Sequence, residues 1–231
     1  FLDYKYDVPS IHETDISDKP EYVRNKKYED EDEAKEEDKN DKSEDREDFP
    51  IKQLQSLQAV DRSIKEIIDK LEEEKILNKT VLIFAGDNGY MWGEHGLWKK
   101  GQPYEESIHV PLVIRLPTGE KGSSNEVIAT NIDIPATIFS LAGIDKKTDG
   151  SNLYALIKNP NSNLRDGMVL QYWGNRPFDL GSENLGTTDW AAYRTKNFKY
   201  VEYVTGEKEF YDLVNDPYEL ENQYNNQRFT K

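Results

Sequence analysis

Asp87 and Asn88 stand side by side at the end of an apolar run, Val81 to Ala85, with Gly86 before them and Gly89 after. A carboxylate and an amide oxygen are hard donors, suited to Ca²⁺ or Mg²⁺ rather than to a soft metal. Two ligands are too few for either ion, so the remaining donors have to come from elsewhere. Lys99 and Lys100 follow in a glycine-flanked loop, where a compact ammonium could neutralise the oxygens of a tetrahedral anion. His95 is the histidine near this corner; a lone histidine is at least as often a structural hydrogen-bonder as a ligand or an acid-base group. Asp-Asn-Gly alone reads more readily as a tight turn, and its context reverses that. A hard-donor corner, a glycine-rich loop and a lysine in one short stretch read together as an oxyanion site.

The elements that would carry this corner follow from periodicity. Val81 to Ala85 and Val110 to Leu116 are apolar on both faces, which predicts buried strands of a parallel sheet. The corner then falls at a strand's carboxyl end, where open α/β sheets bind ligands. Leu54, Leu57, Val60, Ile64, Ile67, Ile68 and Leu71 recur at three- and four-residue steps. That spacing predicts a helix of about 25 residues, entered at Pro50 and left at Asn78. A second helix is predicted between Ile132 and Leu141, with Asp133 as cap and Gly143 as its stop. After about Arg165 the pattern changes to strands: Met168 to Trp173, Trp190 to Arg194, Lys199 to Tyr203 and Glu209 to Leu213. Thr205-Gly206 supplies one turn and Asn215-Asp216-Pro217 a closing one. The order predicts an α/β layered domain over residues 1–165 and a small antiparallel β subdomain with helix over 166–231.

Composition narrows the function classes. The net charge over 231 residues is −15, and residues 29–48 alone hold thirteen carboxylates against four basic residues. That tract is predicted to be a disordered, solvated insertion, because it cannot bury enough apolar surface to order itself. The acidic balance and the lack of a Lys/Arg stripe argue against nucleic acid as a partner. No stretch approaches the roughly 20 apolar residues of a membrane span. The chain has no cysteine, which excludes disulfides and thiolate metal sites and leaves the compartment open.

The motifs agree with a family. Asp87-Asn88-Gly89, Gly93-Glu94-His95-Gly96, Lys100, Tyr104-Glu105-Glu106 and Val110-Pro111-Leu112 resemble, in order and spacing, the sulfatases of the alkaline-phosphatase-like superfamily. The likeness continues through Ser17-Asp18-Lys19-Pro20, Ala59-Val60-Asp61-Arg62, Asp133-Ile134-Pro135-Ala136-Thr137, Leu141-Ala142-Gly143-Ile144 and Asp149-Gly150. Tyr200-Val201-Glu202-Tyr203, Phe210-Tyr211-Asp212-Leu213 and Asn215-Asp216-Pro217 extend it into the closing strands. The resemblance implies the C-terminal part of a three-layer α/β/α domain and hydrolysis of a sulfate ester on a small molecule or glycan. It implies Asp87 and Asn88 as one pair of ligands to Ca²⁺, with Mg²⁺ as the alternative, and Lys100 as the lysine that contacts the sulfate. His95 is then the family's histidine of the GEHG turn and a secondary catalytic candidate beside Lys100, and Glu105 and Glu106 brace the loop. Relatives of this kind are commonly secreted, periplasmic or lysosomal.

The nucleophile departs from the family pattern. The resemblance implies a formylglycine made from Cys or Ser followed by x-Pro-x-Arg, and no such string occurs in these residues. The first pair of metal ligands is equally missing. The expectation is a piece of a longer sulfatase, inactive alone, with the formylglycine in an N-terminal half. Two other readings stay open: a phosphodiesterase or phosphonate hydrolase of the same superfamily, and a catalytically inactive calcium-binding interaction protein.

Overall fold

The computed structural model of the chain describes residues 5–25, 43–117, 126–158, 164–174 and 188–229. The apolar run that ends at the Asp87-Asn88 corner is strand β1, Leu82–Ala85, and the later run is β4, Leu112–Arg115. The two pair with each other antiparallel, Leu82 opposite Arg115 and Ala85 opposite Leu112. This corrects the parallel pairing expected from the sequence. A parallel return needs a crossover of a dozen or more residues, usually helical. Here the connection is long enough, but its helices are single turns: it holds the short strands β2, Met91–Trp92, and β3, Trp98–Lys99, a 3₁₀ turn, Glu94–Gly96, and the single-turn helix α2, Glu105–Ile108. The strands are also more open than expected, with Phe84 41% and Val113 59% exposed.

The long helix, α1, runs from Ser43–Glu73 and so begins seven residues before Pro50. Pro50 thus lies inside the helix, where it removes one backbone hydrogen bond. Residues 43–48 of the acidic tract are thus helical in backbone, while residues 26–42 lie outside the described residues. The exit also precedes Asn78. Lys75 takes a left-handed φ of 56°, with Lys75 N–H bonded to Glu72 O and Ile76 N–H to Leu71 O, both at 2.9 Å. These are the two bonds of a Schellman stop. Among the described residues no helix is long and apolar enough to cross a membrane.

Helix α3, Asp133–Leu141, matches its expected span and ends in a second Schellman stop at Gly143. Asp133, however, caps nothing within its own helix. Its carboxylate accepts Thr130 N–H at 2.8 Å and Ser151 N–H at 2.7 Å, and meets Arg165 through two bonds of 2.6 Å. One buried carboxylate therefore ties three segments together, with helix α4, Tyr154–Lys158, following directly after.

Strands β5, Gly167–Tyr172, β6, Trp190–Thr195, β7, Phe198–Tyr203, and β8, Lys208–Asp212, form a four-stranded antiparallel sheet in chain order. Its buried face packs Trp190, Ala192, Val201 and Tyr203 against Tyr22, Ile108, Leu170 and Tyr172. A second cluster, Val23, Met91, Leu97, Tyr104 and Tyr211, also touches Tyr22. The segment of residues 20–25 thus wedges between the loop that carries the candidate site and the sheet.

This junction is polar as well as apolar. The Glu209 carboxylate accepts the hydroxyls of Tyr104 at 3.0 Å, Tyr211 at 2.6 Å and Tyr203 at 2.5 Å. Burial, followed by the Glu209 charge, pushes all three phenols well above their ordinary value. Lys19, 1% exposed, donates to Glu219 O at 2.6 Å and Leu220 O at 3.0 Å and pairs with Glu13 at 3.2 Å. Buried charges of this kind persist because each is partnered.

Candidate functional site

Asp87 and Asn88 are exposed at the end of β1. The Asp87 carboxylate accepts Asn88 N–H at 2.9 Å, and the Asn88 amide donates to Gly89 O at 2.8 Å. Both side chains are fixed by their own turn. A clamp from outside comes from Asn131, whose amide donates to Asp87 O at 3.1 Å and to Gly86 O at 3.4 Å. Asn131 carries no local signal in the sequence, since its partners lie 44 and 45 positions away.

Lys100 reaches this corner. Its ammonium donates to Asn88 Oδ1 at 3.4 Å, and the lysine is exposed. The loop that presents it is left-handed on both sides, with φ of 73° at Lys99 and 91° at Gly101. For Lys99, which carries a Cβ, that conformation costs roughly 1–2 kcal/mol. Three of the four residues singled out by sequence are therefore together: Asp87, Asn88 and Lys100.

His95 is elsewhere in character. Its side chain is fully buried, with Nδ1 bonded to Glu13 Oε2 at 2.6 Å and the ring stacked on Tyr104 at 4.2 Å. Its φ of 55°, between Gly93 at 114° and Gly96 at 71°, makes it the pivot of the Gly-Glu-His-Gly turn. Among the described residues no hydrogen bond joins it to Asp87, Asn88 or Lys100. Glu94, in the same turn, is buried and accepts Trp92 N–H and the Tyr6 hydroxyl. The turn is built from residues that face inward.

Glu105 and Glu106 differ from each other. Glu105 receives two hydrogen bonds from Arg194, at 3.1 and 2.8 Å, and lies 3.6 Å from Lys199. Burial would push its carboxyl up, but the Arg194 hydrogen bond and the Lys199 charge outweigh it and hold the value below the usual range. Glu106 accepts the Ser10 hydroxyl at 3.4 Å, and burial raises its carboxyl. Glu105 anchors the helix α2 to the C-terminal sheet.

Two oxygens at the corner fit one side of a hard cation, and no more. Ca²⁺ takes six to eight oxygen ligands, and among the described residues no group of three or more His, Asp or Glu could hold a metal ion. The donor chemistry fits the metal, while most of its shell would have to come from other residues or water.

A strand ending in a hard-donor corner, a lysine facing it and an appended antiparallel sheet make an α/β chain, and its structural neighbours give it the alkaline-phosphatase-like fold. Residues 14–144 match the family described as Sulfatase, and residues 93–231 match the C-terminal family of N-sulphoglucosamine sulphohydrolase. The chain belongs to the sulfatase family. It is 30% identical to an arylsulfatase of Volvox carteri over 95% of this chain and 36% of that enzyme. It resembles a solved structure in complex with its substrate D-glucosamine-2-N,6-O-disulfate, with a TM-score of 0.67 and 28% identity over 75% of this chain and 35% of that one. A phosphonate monoester hydrolase of Agrobacterium radiobacter is similar at a TM-score of 0.63 and 28% identity, over 74% and 36% of the two chains. The chain spans about a third of the length of the curated relatives it matches.

Proposed function

We propose that this chain supplies one side of a sulfate-ester hydrolysis site, acting on a sulfated small molecule or a sulfated glycan. The observation that carries this reading is the 3.4 Å approach of the Lys100 ammonium to Asn88 Oδ1, which aims a cation and a hard-donor corner at one point. Asp87 and Asn88 would hold Ca²⁺, or Mg²⁺ in its place, and the ion would polarise a sulfate oxygen. Lys100 would offset the negative charge that builds on the sulfate and the departing oxygen as the ester bond breaks. His95 is assigned to the frame beneath the site, because its ring is enclosed and bonded to Glu13. The formylglycine nucleophile expected of the family would come from residues other than these 231, in which no Cys or Ser begins an x-Pro-x-Arg string. On this reading the chain alone has no turnover.

The test uses 4-nitrophenyl sulfate and a polypeptide that carries this chain together with a complete sulfatase nucleophile motif. Lys100→Met is expected to lower kcat/KM by about a hundredfold or more, the scale of losing one transition-state charge contact. Asp87→Ala is expected to remove activation by Ca²⁺. Full activity in both variants, or turnover by the 231 residues alone, would overturn the reading. The likeness to a phosphonate monoester hydrolase favours one competitor. A kcat/KM for a phosphonate monoester above that for the sulfate ester would decide for it.

A further inference from the structure

Lys100 sits between two left-handed residues, a backbone arrangement that persists only when its surroundings over-determine it. Two of the anchors meet at Gly101. Its N–H donates to Ser107 Oγ at 3.1 Å, and its carbonyl accepts the Trp190 indole N–H at 2.9 Å. Both partners are enclosed, Ser107 at 5% and Trp190 at 6% exposure. The following residues are held too: Gln102 Oε1 accepts the Tyr22 hydroxyl at 3.1 Å, and Pro103 O accepts the Lys199 ammonium at 2.6 Å. Residues 101–103 form a strap with an anchor at every position.

Ser107 also reaches the other half of the site. Its backbone carbonyl accepts Gly89 N–H at 2.9 Å. Gly89 can approach that closely because it lacks a Cβ, which would lie 2.0 Å from Glu106 O. One residue of α2 therefore binds the metal corner through its main chain and the lysine loop through its side chain. A serine hydroxyl in a helical turn ordinarily bonds back within its own turn; this one is spent on the loop. Trp190 is equally distinctive, since it belongs to strand β6 and carries the C-terminal sheet into contact with the site loop.

We propose that Ser107 and Trp190 are positioning residues that grip Gly101 from both sides and so hold the Lys100 ammonium at the Asp87-Asn88 corner. The proposal rests on the reading of that corner as a sulfate-ester site. It separates the two halves of the site by chemistry: truncating Ser107 to alanine removes the grip on the loop and leaves the main-chain bond to Gly89 in place.

The experiment measures kcat/KM for 4-nitrophenyl sulfate, competitive inhibition by inorganic sulfate, and the Ca²⁺ concentration for half activation, in the active polypeptide that carries this chain. Ser107→Ala and Trp190→Phe are each expected to lower kcat/KM and weaken sulfate inhibition by about three- to tenfold, the scale of one lost hydrogen bond. Half activation by Ca²⁺ stays within about twofold, and Ser107→Thr restores turnover. On a Lys100→Met background neither variant changes the residual turnover further, because the effect runs through that lysine. In the 231-residue chain, exchange of the Gly101 amide proton is expected to quicken about tenfold in Ser107→Ala. Unchanged exchange, unchanged sulfate inhibition, or losses that persist in full without Lys100 would each overturn the proposal. A fully active Lys100→Met would instead overturn the reading of the site itself.

Discussion

At the scale of single residues, two buried carboxylates carry opposite pH signatures. Burial would raise the Asp133 carboxyl, but the Arg165 guanidinium and the N–H groups of Ser151 and Thr130 outweigh it and hold the group below its ordinary value. Its contribution is complete above the unfolded value near 4 and is lost as pH falls through the lower folded value. Arg165→Ala leaves Asp133 enclosed without its cation, and is expected to cost about 3 kcal/mol in urea unfolding at pH 7, with a smaller loss near pH 3. Equal losses at both pH values would refute that account. Glu219 runs the other way. Burial pushes its carboxyl up to about 7 against the pull of Lys199, with Glu105 adding to the rise. The folded chain then keeps a proton that the unfolded chain has released, so this contribution is fullest below about 4.5 and fades as pH rises toward 7. Replacing Glu219 with Gln should flatten that part of the stability curve, and an unaltered slope between pH 4.5 and 7 would remove Glu219 as its source.

At the scale of elements, the site depends on how closely α2 lies against the end of β1. A Cβ on residue 89 would fall 2.0 Å from Glu106 O, a backbone atom that cannot rotate away. Gly89→Ala is therefore expected to destabilise the chain by about 2 kcal/mol or more, the range of overpacking in a tight contact, and, where the corner holds Ca²⁺ as proposed, to weaken that binding. Wild-type melting and Ca²⁺ affinity in that variant would disprove the contact's importance. Much of this arrangement could be read beforehand. The strand ending in Asp87-Asn88, the lysine loop, helix α3 and all four closing strands followed from periodicity and turn residues. Strand direction and two of the partners of Asp133, Ser151 and Arg165, depend on residues 18 or more positions away in the chain. Pro50 reads as a helix start because its local cost is visible, while the helix before it is not. His95, read alone, is a secondary catalytic candidate; its hydrogen bond to Glu13, 82 positions earlier, is visible only in the fold. Asn131, Ser107 and Trp190 are ordinary polar or aromatic positions until the fold brings them to Asp87 and Gly101.

At the scale of the whole molecule, well-satisfied and open surfaces sit side by side. The junction between the site loop and the C-terminal sheet is closed, with Tyr104, Tyr211 and Val201 fully buried and Lys19 and Lys199 paired. The β1/β4 pair and helix α1 are not, since Phe84, Val113, Leu57, Val60 and Ile67 are all between 41% and 59% exposed. Strands apolar on both faces and a helix with a sustained apolar stripe carry side chains selected for burial. An uncovered patch of that kind drives association. The 231-residue chain studied alone is therefore expected to bind an apolar dye such as anilinonaphthalene sulfonate and to self-associate at micromolar concentration. Val113→Lys, on the open face of β4, should reduce both signals without disturbing the Tyr104–Glu209 junction, whose aromatic circular dichroism would persist. A monomer that binds no dye would show that these faces are covered, and Val113→Lys would then unfold the chain instead of improving its solubility.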